Sequence, residues 1–172
     1  MTLGQAKRIV RFLLDSELFD NYEDKLNSYF DIGQKRIAAT TDFLEKVKEV
    51  DIEAETELDL EAMDERFYKL RDVQGGDWEK LTPTRIRLQA GHYILKYCVY
   101  PAAITPHTSD AYEFEVSELA QTALPYYVAA QVTIAEHDLR YHQVYYDEFA
   151  AILENVHEAK TEGNMHILQM EV

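Results

Sequence analysis

The apolar and polar positions divide the chain into three stretches with two different periods. From Leu3 to about Asp15, the residues Leu3, Ala6, Ile9, Val10, Leu13 and Leu14 share one stripe at helical spacing, which predicts an amphipathic helix. Thr2 followed three residues later by Gln5 fits a capping box, in which a hydroxyl and an amide each accept from an orphan N–H at the helix start. A turn at Asp20-Asn21 is expected to lead into a longer second helix. There Leu26, Phe30, Gly33, Ile37 and Leu44 recur at three, four or multiples of these, with Tyr29 and Phe43 beside them. Both helices have a polar back, so each needs a partner surface, and the simplest partner is the other.

From Val50 the period falls to two. Asp51, Glu53, Glu55, Glu57, Asp59 and Glu61 alternate with Ile52, Ala54, Thr56, Leu58, Leu60 and Ala62. In an extended chain this puts a row of acids on one face and a mostly apolar row on the other. Three readings stay open: a solvated strand whose charges discourage edge pairing, an acidic wall facing a ligand or a passage, or hard oxygen ligands for calcium. The segment lacks the Asp-rich loop with a central glycine that calcium sites favour. Glu65 to Val73 predicts a short helical turn running into a strand, which Gly75-Gly76 breaks. Arg85 to Gln89 and, in part, His92 to Tyr97 alternate, and Ala90-Gly91 between them predicts a hairpin. Pro101 and Pro106 close the strand region.

The last third returns to helix. Ser117 suits the cap of a short helix reaching about Thr122, and Pro125 suits the first turn of the next. Tyr127, Ala130, Gln131 and Ile134 share one face of that helix, with Val128, Val132 and Ala135 beside it. Asp138 is placed to cap a final helix striped by His142, Tyr145, Phe149, Ile152, Leu153 and Val156. The expected fold is α+β and mainly α: a helical bundle with an antiparallel β-sheet or hairpin excursion between the second helix and the C-terminal helices. One domain is expected over residues 1–162, with the excursion at about 47–116. A tail over 163–172 follows the break at Glu162-Gly163-Asn164.

Composition narrows the function. The 172 residues carry 17 Lys and Arg against 32 Asp and Glu, a net charge of -15. Gripping nucleic acid depends on neutralising phosphates with Lys and Arg, so this balance argues against it. It is compatible with a protein that DNA must slide past without sticking. Cys98 is the single cysteine, which excludes an internal disulfide and a multi-cysteine zinc site. Its apolar strand makes it a buried structural thiol rather than a nucleophile. No apolar run approaches the roughly 20 residues that span a bilayer. The N-terminus lacks the continuous apolar core and small-residue cleavage site of a signal peptide. A soluble intracellular protein with no membrane partner is expected.

The inventory of chemistry is nearly empty. Glu154 and His157 have the Glu-x-x-His spacing of carboxylate-bridged metal bundles, but such a site needs the motif twice plus two further carboxylates. His137 and His142 lie about 140° apart around a helix and cannot chelate one ion as neighbours do. His92 and His107 are isolated. Gly75-Gly76 has no following Lys-Ser/Thr, and neither Gly-x-Ser-x-Gly nor Gly-x-Gly-x-x-Gly occurs. No catalytic residue, cofactor or metal is therefore expected, and binding or structure is favoured over enzymology. The different-class alternative is a helical metal enzyme using Glu154 and His157.

Two features point to partners. Among the 12 tyrosines, Tyr93, Tyr97 and Tyr100 cluster on the strand and Tyr126, Tyr127, Tyr141, Tyr145 and Tyr146 on the C-terminal helices. A large apolar area with a polar tip suits either a protein interface or the cover of a modest core. Free termini are normally polar, yet the tail carries Ile167, Leu168, Met170 and Val172. It is expected to be held by the protein's own sheet, a second copy or another partner, for which strand addition is one route. The candidate partner-facing residues are thus Ile167, Leu168, Met170, Val172, Tyr126, Tyr145 and Tyr146.

From about Glu65 to Val156 the chain resembles the head-to-tail connector (adaptor) proteins of tailed bacteriophages. The resembling pieces are Phe67-Tyr68-Lys69-Leu70-Arg71-Asp72-Val73, the run Gly91 to Pro101 with Ile104-Thr105 behind it, Tyr112-Glu113-Phe114-Glu115-Val116 and Ala123-Leu124-Pro125-Tyr126-Tyr127-Val128-Ala129-Ala130. Their order is strand, Tyr-Pro, acidic-aromatic strand, Leu-Pro-Tyr-Tyr helix and Tyr-rich final helix, and the amphipathic N-terminal pair agrees with the helical start of such adaptors. The resemblance implies a structural virion protein that forms a ring, usually twelve-fold, on the portal ring. That ring extends the DNA channel, offers a platform to stopper or tail proteins and carries no catalytic residues. A stopper or tail-completion protein is the near alternative. The resemblance also implies docking to the portal through the C-terminal segment, and assembly in the host cytoplasm. Within such a ring, Asp51, Glu53, Glu55, Glu57, Asp59 and Glu61 are candidates to face the channel. They would repel DNA phosphates over a Debye length of about 8 Å.

Overall fold

The structure, a computed structural model, describes residues 1–41 and 43–169, with side chains as far as residue 159. The chain is α+β and mainly α, and it divides into two compact units: a helical one, Met1–Asp42 with Ala103–Val172, and a β one, Phe43–Ala102. No helix among the described residues is long and apolar enough to cross a membrane.

The helical unit is organised by its least polar helix. α5 (Leu124–Ala135) has no charged residue, and it buries Leu124, Tyr127, Val128, Ala130, Val132 and Thr133, which lie all around its axis. A helix of that kind needs cover on every side, and α1 (Leu3–Leu13), α2 (Ser16–Thr40) and α6 (Leu139–Gln169) all pack on it. α1 starts at the expected capping box, with both reciprocal bonds formed, and buries Leu3, Ala6 and Val10. α2 approaches closely at Gly33, where a Cβ would stand 2.8 Å from the Tyr127 ring. α6 follows the Asp138 cap and sinks Phe149 and Val156, with the Phe149 ring 5.1 Å from that of Tyr127. Pro125 falls in the first turn of α5, and Ser117 caps α4 (Glu118–Gln121).

Four readings of this unit differ from those made on the sequence. α2 begins at Ser16 and runs through Asp20-Asn21, because Asp15 caps it by accepting from the Leu18 amide at 2.8 Å and because Phe19 and Tyr22 extend the buried stripe backwards. It ends at Thr40, so Leu44 opens a strand instead of closing the helical stripe. Tyr112 to Val116 forms no strand beyond one bridge, Thr2 to Glu113. Its neighbourhood supplies carbonyls to α1 instead: Leu3 N–H donates to Tyr112 O at 2.8 Å and Gly4 N–H to Asp110 O at 2.9 Å. These are orphan donors of a helix N-terminus that need partners somewhere. The backbone of α6 continues to Gln169, across Gly163-Asn164 where a break was expected.

The β unit holds β1 (Leu44–Ile52), β2 (Thr56–Asp59), α3 (Leu60–Met63), β3 (Phe67–Gly75), β4 (Trp78–Lys80), β5 (Arg85–Leu88) and β6 (Gly91–Val99). They form two three-stranded antiparallel sheets, β1-β6-β3 and β2-β5-β4. The chain crosses between sheets four times, from β1 to β2, β2 to β3, β3 to β4 and β5 to β6. Ala90-Gly91 is therefore a crossing and not the expected hairpin. The hairpin turn lies at Leu81 to Thr84, where Leu81 and Thr82 N–H groups both donate to Arg85 O at 3.1 Å. The short helix precedes Glu65 as α3, and β3 starts directly at Phe67.

Tyr93 holds the crossings together. It is fully buried in a core with Leu60, Ile86, Leu88, Leu95 and Val99. Its hydroxyl stands 2.8 Å from Asp77 O and 3.1 Å from Gln89 O, one carbonyl from each of two crossings. Gly75 takes φ 133, a region that favours glycine, and a Cβ there would stand 2.3 Å from His92 O. Gly75→Ala is expected to destabilise the β unit by at least the 1–3 kcal/mol of a strained backbone position. Denaturant unfolding followed through Trp78 fluorescence checks this, and an unchanged midpoint would contradict the role given to Gly75.

Candidate interaction surface

The acids of residues 51–61 do not form one row. β1 ends at Ile52, β2 starts at Thr56 and α3 takes over at Leu60, so the alternation is split over two sheets and a helix. Four of these six acids meet a basic side chain on a neighbouring strand. Arg87 on β5 lies opposite Glu57 and Glu79 in the register. Its guanidinium reaches Glu57 at 2.9 Å, Glu79 at 3.1 Å and Glu55 at 3.4 Å. The Glu57 hydrogen bond, helped by the charges of Glu57, Glu79 and Glu55, holds the Arg87 pKa above its ordinary value against the opposing effect of desolvation. An arginine thus occupies the position that the calcium reading would give to an ion.

Asp59 caps α3, accepting from Glu61 N–H at 3.1 Å and Ala62 N–H at 3.2 Å, and pairs with Arg85 at 3.3 Å. The Ala62 amide bond leads in holding its carboxyl below the usual range. Asp51 meets His92 Nδ1 at 2.8 Å across β1 and β6, and the hydrogen bond to Asp51 raises the imidazole pKa. Glu53 and Glu61 remain exposed and without a side-chain partner among the described residues. A depression of about 320 Å³ beside Arg87 is lined by Glu55, Asp77, Trp78, Glu79 and Gln89. It mixes charge signs and holds no nucleophile.

Two of the three tyrosines proposed to face partners, Tyr145 and Tyr146, are engaged within the helical unit. Tyr145 donates its hydroxyl to Leu13 O, and burial pushes its phenol pKa up. The Tyr146 hydroxyl accepts from Arg36 at 2.7 Å. The Arg36 guanidinium also lies 5.6–6.0 Å from the Tyr146, Phe149 and Tyr127 rings. Tyr126 is half-buried. Ile167 and Leu168 lie by backbone on α6, and their side chains are outside the described residues, as are Met170 and Val172 altogether.

Other side chains form the exposed apolar surface. Phe12 is 91% exposed, and Leu139, Tyr141 and Val144 are 67%, 52% and 52% exposed. Such exposure is unusual for a Phe, and large apolar groups left in water mark interaction sites more often than core residues do. Near them a groove of about 260 Å³ is lined by Leu13, Leu14, Leu18, Thr133, Tyr141 and Tyr145, with Asp15 and Asp138 at its rim. Phe12 was legible as the one large apolar residue of α1 lying off its stripe.

Cys98 is buried, and desolvation raises its thiol pKa. Glu154 and His157 are both exposed. Among the described residues no three His, Cys, Asp or Glu side chains come together as a metal site would require. His142 Nδ1 lies 2.8 Å from Ala130 O, a contact that ties α6 to α5. Comparison with protein-family models and with curated proteins finds no match to this chain.

Two outcomes follow from the charge pattern. A His92 pKa raised above its unfolded value of about 6.5 means that the Asp51 pair stabilises fully below that pH and is lost as pH rises through the raised value. NMR titration should show His92 titrating high and Asp51→Asn bringing it down; an unmoved curve refutes the pairing. Arg87→Met leaves Glu55, Glu57 and Glu79 facing one another. It should lower the melting temperature more at low than at high salt, whereas a salt-independent loss would assign Arg87 a packing role only.

Proposed function

We propose that this chain is a structural head-to-tail connector: a ring subunit seated on a portal ring, extending a DNA channel and giving stopper or tail proteins a surface to bind. The reading rests on the resemblance running from Glu65 to Val156. It is supported above all by a helical unit that exposes Phe12, Leu139, Tyr141 and Val144, as expected of a protein that mates with other proteins. The strongly acidic balance supports passage of DNA without adhesion. Because Glu55, Glu57 and Asp59 pair with arginines and Asp51 hydrogen-bonds to His92, the channel-facing part of the proposal narrows to Glu53 and Glu61 as acids without a side-chain partner among the described residues.

The docking element proposed for the portal is the C-terminal segment from residue 163. Full-length protein mixed with purified portal rings should co-sediment with them, and a variant ending at residue 162 should lose that binding. Failure of the full-length chain to bind any portal ring overturns the connector reading. Binding to assembled tails but not portals would make it a tail-completion protein. Equal binding by the shortened chain would move the contact off the C-terminal segment.

A further inference from the structure

We propose that the outward face of α1 in one copy docks on the outward face of α6 in a second copy. This names the self-contact that a ring needs and rests on the connector reading for its setting, but the argument comes from how charge is distributed over the helical unit.

α1 carries Lys7, Arg8 and Arg11 and no acid, in a chain whose acids outnumber its bases 32 to 17. At 100° per residue, Arg8 and Phe12 lie together on the side opposite the buried Leu3, Ala6 and Val10, with Arg11 at one flank and Ile9 at the other. The result is a basic face with an exposed phenyl ring at its centre. Lys7 is engaged with Asp110 at 2.8 Å. Arg11 pairs with Asp20 at 3.1 Å, but both side chains are more than half exposed, at 58% and 59%. Such a pair holds little energy and leaves other guanidinium donors open. Arg8 has no ion-pair partner among the described residues.

The outward face of α6 is the complement. Val144 and Ala151 form a shallow apolar centre, and Asp147, Glu148, Glu154 and Glu158 surround it, all exposed. None of these four carboxylates makes an ion pair among the described residues; Asp147 accepts a hydrogen bond from Gln143 at 2.7 Å. A bulky ring between cations can seat on a shallow apolar strip between carboxylates, and the small Ala151 leaves room for it. Both helices hold their inner faces on α5, so the two outer faces of one molecule cannot meet each other. The partner of the acidic face is therefore sought on another chain. Because the two faces differ, the contact is heterologous, the kind that closes rings or propagates. α1 has 11 residues and spans about 16 Å, less than the roughly 800 Å² per partner of a standard interface needs. Pairwise association is thus weak and concentration-dependent.

Charge exchange tests this directly. One variant carries Arg8→Glu and Arg11→Glu; a second carries Asp147→Lys, Glu148→Lys and Glu154→Lys. All five positions are exposed, and circular dichroism verifies that each variant keeps its helices. By sedimentation, wild-type protein should self-associate, and each variant alone should do so about tenfold less, because its two faces now carry like charge. A mixture of the two should recover association, since each restores the other's complement. Wild-type protein that stays monomeric at high concentration overturns the proposal. So does a variant that associates as well as wild type, or a mixture no better than its parts. Portal rings are absent from this experiment, so failure of the connector reading and failure of this contact are separately visible.

Discussion

The helical unit follows from α5 being too apolar to face water on any side. An uncharged helix with buried residues around its whole circumference must be wrapped, and α1, α2 and α6 supply the wrapping. Each contributes an apolar stripe inward, and Gly33 lets α2 approach to the distance that the Tyr127 ring sets. Burial of this kind contributes roughly 25 cal/mol per Å² of apolar surface, which is why the central helix fixes the faces of its neighbours. What those neighbours carry outward is then free to serve another purpose. On α1 it is positive with an exposed phenyl ring; on α6 it is negative with small residues.

The β unit obeys a different constraint. Its two sheets share one core, and the four crossings between them must leave no buried backbone group unpaired. Tyr93 meets both demands, filling the core with its ring and reaching two crossing carbonyls with its hydroxyl. On the outside of the same unit, Arg87 neutralises acids from both strands that flank it. The acidic alternation of residues 51–61 is therefore largely a set of cross-strand partners, and only part of it is available to repel anything.

Much of the architecture could be read from residue order because it is encoded locally. Thr2 with Gln5, Ser117, Pro125 and Asp138 act within one helical turn of themselves, and each sits where its chemistry predicts. The helix stripes through Leu26 to Ile37 and through Tyr145 to Val156 are equally local. The misreadings came from long-range choices. Ala90-Gly91 looks like a hairpin turn in isolation, and only the pairing of β5 and β6 with different strands makes it a crossing. The period-two acids look like a single strand until Asp59 is seen capping α3. Tyr112 to Val116 has a strand's composition, but the N-terminus of α1 claims the carbonyls around it. Equally invisible in the residue order are the intramolecular partners of Tyr145 and Tyr146, since Leu13 and Arg36 are distant in sequence.

The exposed apolar side chains and the opposed charges of α1 and α6 are what the proposed assembly draws on. Assembly through opposed charges has a signature that assembly through apolar surface alone does not. Salt screens it, because exposed charges interact only within a Debye length of about 8 Å at physiological ionic strength. The association constant of the wild-type chain, measured by sedimentation over a series of salt concentrations, is the most direct test. Association that weakens steadily as salt rises is what the account predicts. Association that holds steady or strengthens with salt would show that the charged faces are not what brings the copies together.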